Sequence, residues 1–365
     1  GVLREPFLDL SGIEHIEDML DTLAVTPAAA LGSCRFKLKD PAQDPSEFEE
    51  LIRIFQKHEI GYFVYIGGND SMDTVWKLSD YIKEHHIPDI VVVGAPKTID
   101  NDLYGIDHCP GFGSAAKYIA TSISELEREL EVYDTPYVIV VEMMGRNAGW
   151  LTAAAALAES ANSNVPYLIY LEERPFDLND FISDLRGELA VGKDVIVAIS
   201  EGIRDRSGKM ICDYADRDQS KDAFGHTIAT GAGKVLENAI RSNIGCKVRY
   251  IELNLLQRCA GHLLSETDIT ESTELGRNAV RLAVDGQNGV MSTLTRTSNH
   301  PYSVAYDAAD IAEIADREKK VPDSWITSEG NGVTEEMLEY LRPLVQGERS
   351  CRFENGIPKY VVFDK

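Results

Sequence analysis

Several short polar stretches hold residues whose types and spacing suit chemistry on phosphates. Gly67-Gly68-Asn69-Asp70-Ser71 follows an apolar run. Paired glycines let a backbone approach a ligand closely, and a helix starting there offers N–H groups and partial positive charge to a phosphate. A tight turn capped by Ser71 fits the same residues. Lys97-Thr98-Ile99-Asp100-Asn101-Asp102 follows a second apolar run. In an extended segment Thr98, Asp100 and Asp102 point one way, and two carboxylates can divide metal binding and proton abstraction. Lys97 adds a charge suited to phosphate; a buried structural cluster is the other reading. Further on come Met144-Gly145-Arg146, Glu201-Gly202 with Arg204, and then Arg249 and Arg258. Arginines gathered near strand ends point to anion recognition by bidentate guanidinium groups.

These cations stand in an acidic chain. Of 365 residues, 36 are Lys or Arg and 60 are Asp or Glu, a formal charge of −24. That balance argues against nonspecific nucleic-acid binding, which needs a basic footprint, and against an anionic membrane surface. No apolar run approaches the ~18–20 residues of a membrane span. The opening Gly1-Val2-Leu3-Arg4-Glu5 has neither a signal peptide nor an initiator Met, so more chain is expected upstream. Cys34, Cys109, Cys212, Cys246, Cys259 and Cys351 are widely spaced and form no C-x-x-C pair. A reduced cytoplasmic protein is expected rather than a zinc site or a disulfide framework.

The elements that must position the polar stretches alternate between two patterns. Short β-branched runs predict strands over 62–66, 90–93, 137–141, 167–171, 195–200 and 247–253. Helical spacing places Met72, Val75, Ser79 and Ile82 on one face, and predicts helices over 113–130, 150–158, 181–189, 227–241 and 268–285. Strands alternating with helices imply an α/β fold with mainly parallel sheets, and ligands there bind outside the carboxyl ends of strands. Trp76 and Trp150 are expected in the core, and His108 as a structural residue.

Taken in order, GGNDS, PKTIDND, MMGRNAGW, ISEG, DAFGH and LLQR resemble the phosphofructokinase family, from about Leu10 to Gly289. Arg35, in Gly32-Ser33-Cys34-Arg35, matches that family's phosphate-contacting G-S-x-R segment. The resemblance implies two doubly wound, Rossmann-like domains with the site between them. Residues 1–112 with 258–310 would bind the phosphoryl donor, and 113–257 with 311–365 the sugar phosphate. It implies Asp100 as the base, with Thr98 and Arg146 beside the transferred group. Gly67, Gly68, Ser71 and Arg35 would cradle the donor with Asp70 and Lys97. Asp70 and Asp102 would hold Mg²⁺. Met144, Gly145, Arg146 and Glu201 would line the sugar, and Arg258 and Arg249 its 6-phosphate. Arg249 would reach in from a neighbouring subunit of a homodimer or homotetramer.

ATP-using members resemble GGDGS and PGTIDND, whereas pyrophosphate-using members resemble GGDDS and PKTIDND. Asp70 and Lys97 are of the second type. Glycine at position 70 would leave room for a nucleotide α-phosphate; a carboxylate fills it and repels phosphate. Two unit charges ~4 Å apart interact by ~1 kcal/mol in water and ~4 kcal/mol at an effective dielectric of ~20. The expected reaction is reversible pyrophosphate-dependent phosphorylation of fructose 6-phosphate at its 1-hydroxyl, a step of glycolysis and gluconeogenesis. An ATP-dependent phosphofructokinase and a noncatalytic regulatory subunit are the alternatives. Four features depart from the family pattern. Asn69 replaces a usual Asp, Tyr137 a frequent Arg, and Leu255 a common His or Tyr. The family's N-terminal strand and its GG-x-x-P-G-x-N loop have no counterpart, implying ~40–60 residues upstream, about one βα unit plus flanks.

Overall fold

Short apolar runs separated by amphipathic helices build two four-stranded sheets, each covered on both faces. The computed structural model describes residues 8–11, 13, 16–34, 36–159, 165–192, 194–215, 231–315 and 317–363. Arg35, the 222–226 segment and residues 227–230 of an expected helix lie outside the described residues. In chain order the elements are α1 (Ile16–Ala24), α2 (Ser46–Lys57), β1 (Tyr62–Gly67), α3 (Asn69–Glu84), β2 (Val91–Pro96), α4 (Phe112–Leu130), β3 (Tyr137–Met143), α5 (Trp150–Ala153), β4 (Tyr167–Tyr170) and α6 (Leu178–Val191). Then come β5 (Asp194–Ser200), α7 (Ala232–Asn243), β6 (Lys247–Glu252), β7 (Leu264–Ser265), α8 (Glu266–Val284), β8 (Val290–Asn299), β9 (Tyr302–Asp310), α9 (Ile311–Ile314) and α10 (Glu335–Leu341).

The first sheet runs β1-β2-β8-β9 and the second β4-β5-β3-β6. Every pairing within them is parallel except β8 with β9. The fold is therefore the mainly parallel α/β type expected. The antiparallel β8–β9 hairpin is not among the expected strands, although its outer half alternates half-buried and exposed residues. The helix expected over 150–158 is instead the short α5 followed by a 3-10 turn over Ala154–Ala158, a common way for a helical segment to end.

Register decides where the loops emerge. Gly67 pairs with Pro96 at the ends of β1 and β2, so the 67–71 and 97–102 stretches leave side by side. Met143 pairs with Ser200, and Glu142 with Glu252, so the turns after β3, β5 and β6 also emerge together.

Packing follows the two periodicities. Phe48, Phe55, Met72, Val75, Leu78 and Ile82 from α2 and α3 cover one face of the first sheet, and Ala279, Leu282 and Ala283 from α8 cover the other. Along β3, Ile139 and Val141 face α4, whereas Val138 and Val140 face α6 and α7. Ile311 and Ile314 pack into the first sheet's core, and the chain from Val321 to Leu344 into the second's. Trp150 is buried as expected, but Trp76 is 36% exposed on the outer side of α3. No disulfide joins any of the six cysteines.

The N-terminus of α4 is fastened by a carboxylate from another helix. Its N-cap Gly111 has φ of +94° and no side chain to cap with. Asp268 of α8 accepts from Gly111 N at 2.8 Å and Ser114 N at 3.0 Å. Replacing Asp268 by Ala leaves those donors unsatisfied in a buried place. Urea unfolding of Asp268→Ala is expected to show a loss of about 1–3 kcal/mol with an unchanged m-value.

Candidate active site

The donor-side loops meet because β1 and β2 are in register. Lys97 N donates to Gly67 O at 2.9 Å, tying the two loop starts together. A Cβ on Gly67 would lie 2.0 Å from Ser71 Oγ, so only glycine allows this close turn. The turn delivers the chain into α3 with Gly68 as N-cap and no side-chain cap. A helix start of this kind offers N–H groups to an anion. Asp70 lies in the first turn, exposed, with a carboxylate oxygen 3.6 Å from Lys37 Nζ. Of the two neighbours, Asn69 is the one that touches Asp102: its Nδ2 donates to Asp102 Oδ2 at 3.0 Å.

The stretch after β2 is not extended. Asn101 has φ of +56°, a left-handed conformation that asparagine tolerates, so residues 98–102 turn. The turn is fixed by Asn101's own buried amide. Nδ2 donates to Tyr340 Oη at 2.8 Å, and Oδ1 accepts from Cys109 N at 2.9 Å and Lys319 Nζ at 3.2 Å. Asp100 N donates to Thr98 Oγ1 at 3.2 Å, which keeps Thr98 and Asp100 together. Burial raises the pKa of Asp100, while Thr98, Arg258, Lys97 and Arg146 pull it down. Burial, then the charges of Asp100 and Glu318, push Asp102 up to about 7.

The second sheet supplies the facing wall. Glu201 N donates to Met143 O at 2.9 Å, and Ser200 Oγ donates to Gly145 O. A Cβ on Gly202 would lie 2.1 Å from Arg146 O, so this turn presses directly on the Arg146 loop. Met144 and Arg146 are half-buried, and Arg146 Nε is buried without a hydrogen-bond partner. Burial first, then Asp100 and Glu142, push Glu201 up to about 8, against the pull of Arg146. Arg258 ends the 3-10 turn Asn254–Arg258 and is exposed towards Asp100. Arg249 stands apart, exposed on the edge strand β6 beside Tyr137.

The donor set fits a hard divalent cation such as Mg²⁺, which prefers oxygen ligands. Asn69 Oδ1 is buried without a partner, while its amide nitrogen is held by Asp102. That pair offers one neutral and one anionic oxygen. Among the described residues no group of three or more His, Cys, Asp and Glu side chains is arranged for a metal.

Several supporting residues escaped the sequence reading. Glu142 accepts from Gly231 N at 2.7 Å, Gly233 N at 2.8 Å and Tyr250 Oη at 2.8 Å, anchoring the start of α7 next to Glu201. An acid inside an apolar strand was the available signal. His108, expected from the sequence as a structural residue, lies between Asp107 Oδ1 at 2.7 Å and Glu271 Oε2 at 2.6 Å. Arg296 also reaches Asp107, at 3.1 Å, and Tyr302 donates to Glu271.

The chain belongs to the phosphofructokinase family, whose model, described as Phosphofructokinase, matches residues 5–283. It is 39% identical over 369 residues to the pyrophosphate–fructose 6-phosphate 1-phosphotransferase of Halomonas elongata, covering 100% of this chain and 86% of that protein. Identity to the protein of the same name from Xanthomonas campestris pv. campestris is 40% over 365 residues, covering 99% and 86%. The crystal structure of a pyrophosphate-dependent phosphofructokinase from Nitrosospira multiformis matches with a TM-score of 0.87 at 35% identity, covering 99% of this chain and 84% of that one.

His108 gives the site a pH-dependent foundation. Burial lowers its pKa, but the hydrogen bonds and charges of Asp107 and Glu271 outweigh this and raise it. A raised folded-state pKa means the contribution is fully present below about pH 6.5 and is lost as pH rises through the elevated value. His108→Gln leaves buried Glu271 without a cation and Asp107 with Arg296 alone, at an expected cost of about 3–5 kcal/mol. Chemical denaturation from pH 6 upward should show the gap to wild type narrowing as pH rises.

Proposed function

We propose that this chain transfers a phosphoryl group reversibly between pyrophosphate and the 1-hydroxyl of fructose 6-phosphate. The observation that carries the reading is the grouping of Asp100 with Arg258, Lys97 and Arg146, beside the Asp102–Asn69 pair. Phosphoryl transfer is catalysed by positioning and electrostatics, and this grouping supplies both. Asp100 takes the proton from the sugar hydroxyl and returns it in the reverse direction. Arg146, half-buried with an unpartnered Nε, meets the charge that spreads over the transferred group. Asp102 and Asn69 would hold Mg²⁺, which would neutralise charge on phosphate oxygens.

The sugar side is tuned for an anion. Burial pushes Glu201 up to about 8, which favours its neutral form and suits it to donate a hydrogen bond to the sugar phosphate. Arg258 binds the 6-phosphate. Arg249, exposed on an open sheet edge, serves the site of a second copy in a homodimer or homotetramer. No helix among the described residues is long and apolar enough to cross a membrane. Work in the cytoplasm suits phosphorylated sugars and cysteines that form no disulfide.

Donor choice rests on Asp70 and Lys97. The Asp70 carboxylate projects from the first turn of α3, where a longer polyphosphate would continue, and Lys97 starts the adjacent loop. Steady-state rates of the wild type with pyrophosphate and with ATP, each with fructose 6-phosphate, test the reading. Pyrophosphate is expected to be preferred. The double variant Asp70→Gly with Lys97→Gly should lose about 10- to 1000-fold of that activity and gain measurable ATP use. A wild type that prefers ATP contradicts the proposal.

A further inference from the structure

One segment outside the motif stretches touches both walls of the site. Glu318 pairs antiparallel with Leu103, directly after Asp102, and its Oε1 accepts from Asn147 Nδ2 at 2.6 Å, next to Arg146. Lys319 N donates to Asp102 O at 2.7 Å. Its Nζ donates to Asp107 O at 2.6 Å, Asn101 Oδ1 at 3.2 Å and Ile106 O at 3.2 Å. Its own carbonyl accepts the indole N–H of Trp150 at 2.9 Å. Two residues on, Val321 N donates to Glu173 Oε1 at 2.9 Å, and the same carboxylate accepts from Gly149 N.

An ammonium has three protons, and here none of these hydrogen bonds goes to a carboxylate. All three go to oxygens that define the turn between Asn101 and Asp107. Left-handed Asn101 directs Asp100 and Asp102 away from a straight path, so whatever holds that residue also sets the separation of the two carboxylates. The backbone of the same lysine holds Asp102 on one side and Trp150, at the end of the Arg146 loop, on the other.

We propose that Lys319 is a positioning residue for phosphoryl transfer, locking the Asn101 turn and joining it to the Arg146 loop so that Asp100, Asp102 and Arg146 face one reacting group. The inference rests on the function proposed above. Lys319 does not touch the reacting atoms. It fixes the groups that do, and misplacement by about 1 Å is enough to cost ~100-fold in rate.

The test uses Lys319→Met, which keeps length but not charge, and Lys319→Arg, which keeps charge but presents a planar fork to acceptors arranged for an ammonium. Lys319→Met is expected to lower kcat by about 10–100-fold, with KM for both substrates held within about threefold. Lys319→Arg should fall between it and wild type. A folded Lys319→Met with kcat near that of wild type, or with its whole loss in KM, overturns the proposal. If Lys319→Met does not fold, Lys319→Arg decides: kcat lowered severalfold at constant KM supports the role, and unchanged kcat overturns it. Mn²⁺ binding, followed without substrates by the electron paramagnetic resonance of the free ion, separates this inference from the function. About tenfold weaker Mn²⁺ binding in the folded variant supports positioning of Asp102, and equal affinity overturns it. A wild type inactive with pyrophosphate and fructose 6-phosphate defeats the proposed reaction and leaves the Mn²⁺ comparison readable.

Discussion

As the proposed base, Asp100 must carry a negative charge where burial favours the neutral acid, and three cations gather around it. Burial first, and then its charge, push Asp102 up to about 7 and Glu201 up to about 8. Arg258, Lys97 and Arg146 pull the other way. Burial still prevails and the pKa of Asp100 stays raised, the rise being held back by those three cations. They come from loops after three different strands. Bringing them together therefore requires two sheets with their carboxyl ends turned to one cleft. The parallel registers of β1 with β2 and of β3 with β5 and β6 provide that arrangement.

A cleft built from two sheets needs something to hold its walls in register. Here the chain after β9 does so. It runs from Glu318 to Val321 across the back of both loops, exchanging main-chain and side-chain hydrogen bonds with each. Below it lies the buried group of Tyr340, Asp107, His108, Glu271 and Arg296, with Tyr340 reaching up to Asn101. A polar network in a core is costly when any member is unpaired. This one is extensively paired, although Arg296 Nε is buried without a partner, and it supports the Asn101 turn through Tyr340.

Much of this was legible in the sequence. The strands under the site are near-continuous apolar runs, so their ends, and with them Lys97, Arg146 and Glu201, could be located from local pattern. Local pattern also explains the misreadings. Asp70 and Asn69 are adjacent in sequence, but adjacent positions on a helix point about 100° apart, and only Asn69 turns towards Asp102. Asp100 and Asp102 look like alternate positions of an extended run because nothing local reveals that Asn101 turns left-handed. That conformation is set by Tyr340 and Lys319, more than 200 residues away. Lys319 itself sits in a Glu-Lys-Lys run that reads as solvated surface. Its role comes from the return of the chain past Leu103.

The central claim is that Asp100, a buried carboxylate whose charged form is favoured by three nearby cations, serves as the proton acceptor in phosphoryl transfer. Single-turnover rates of Asp100→Asn with pyrophosphate and fructose 6-phosphate test it most directly, since the substitution keeps shape and removes both charge and basicity. The account predicts a fall of about 10²–10⁴ in the chemical step, with sugar-phosphate binding retained. Turnover close to that of wild type would contradict it and move the base role to Asp102.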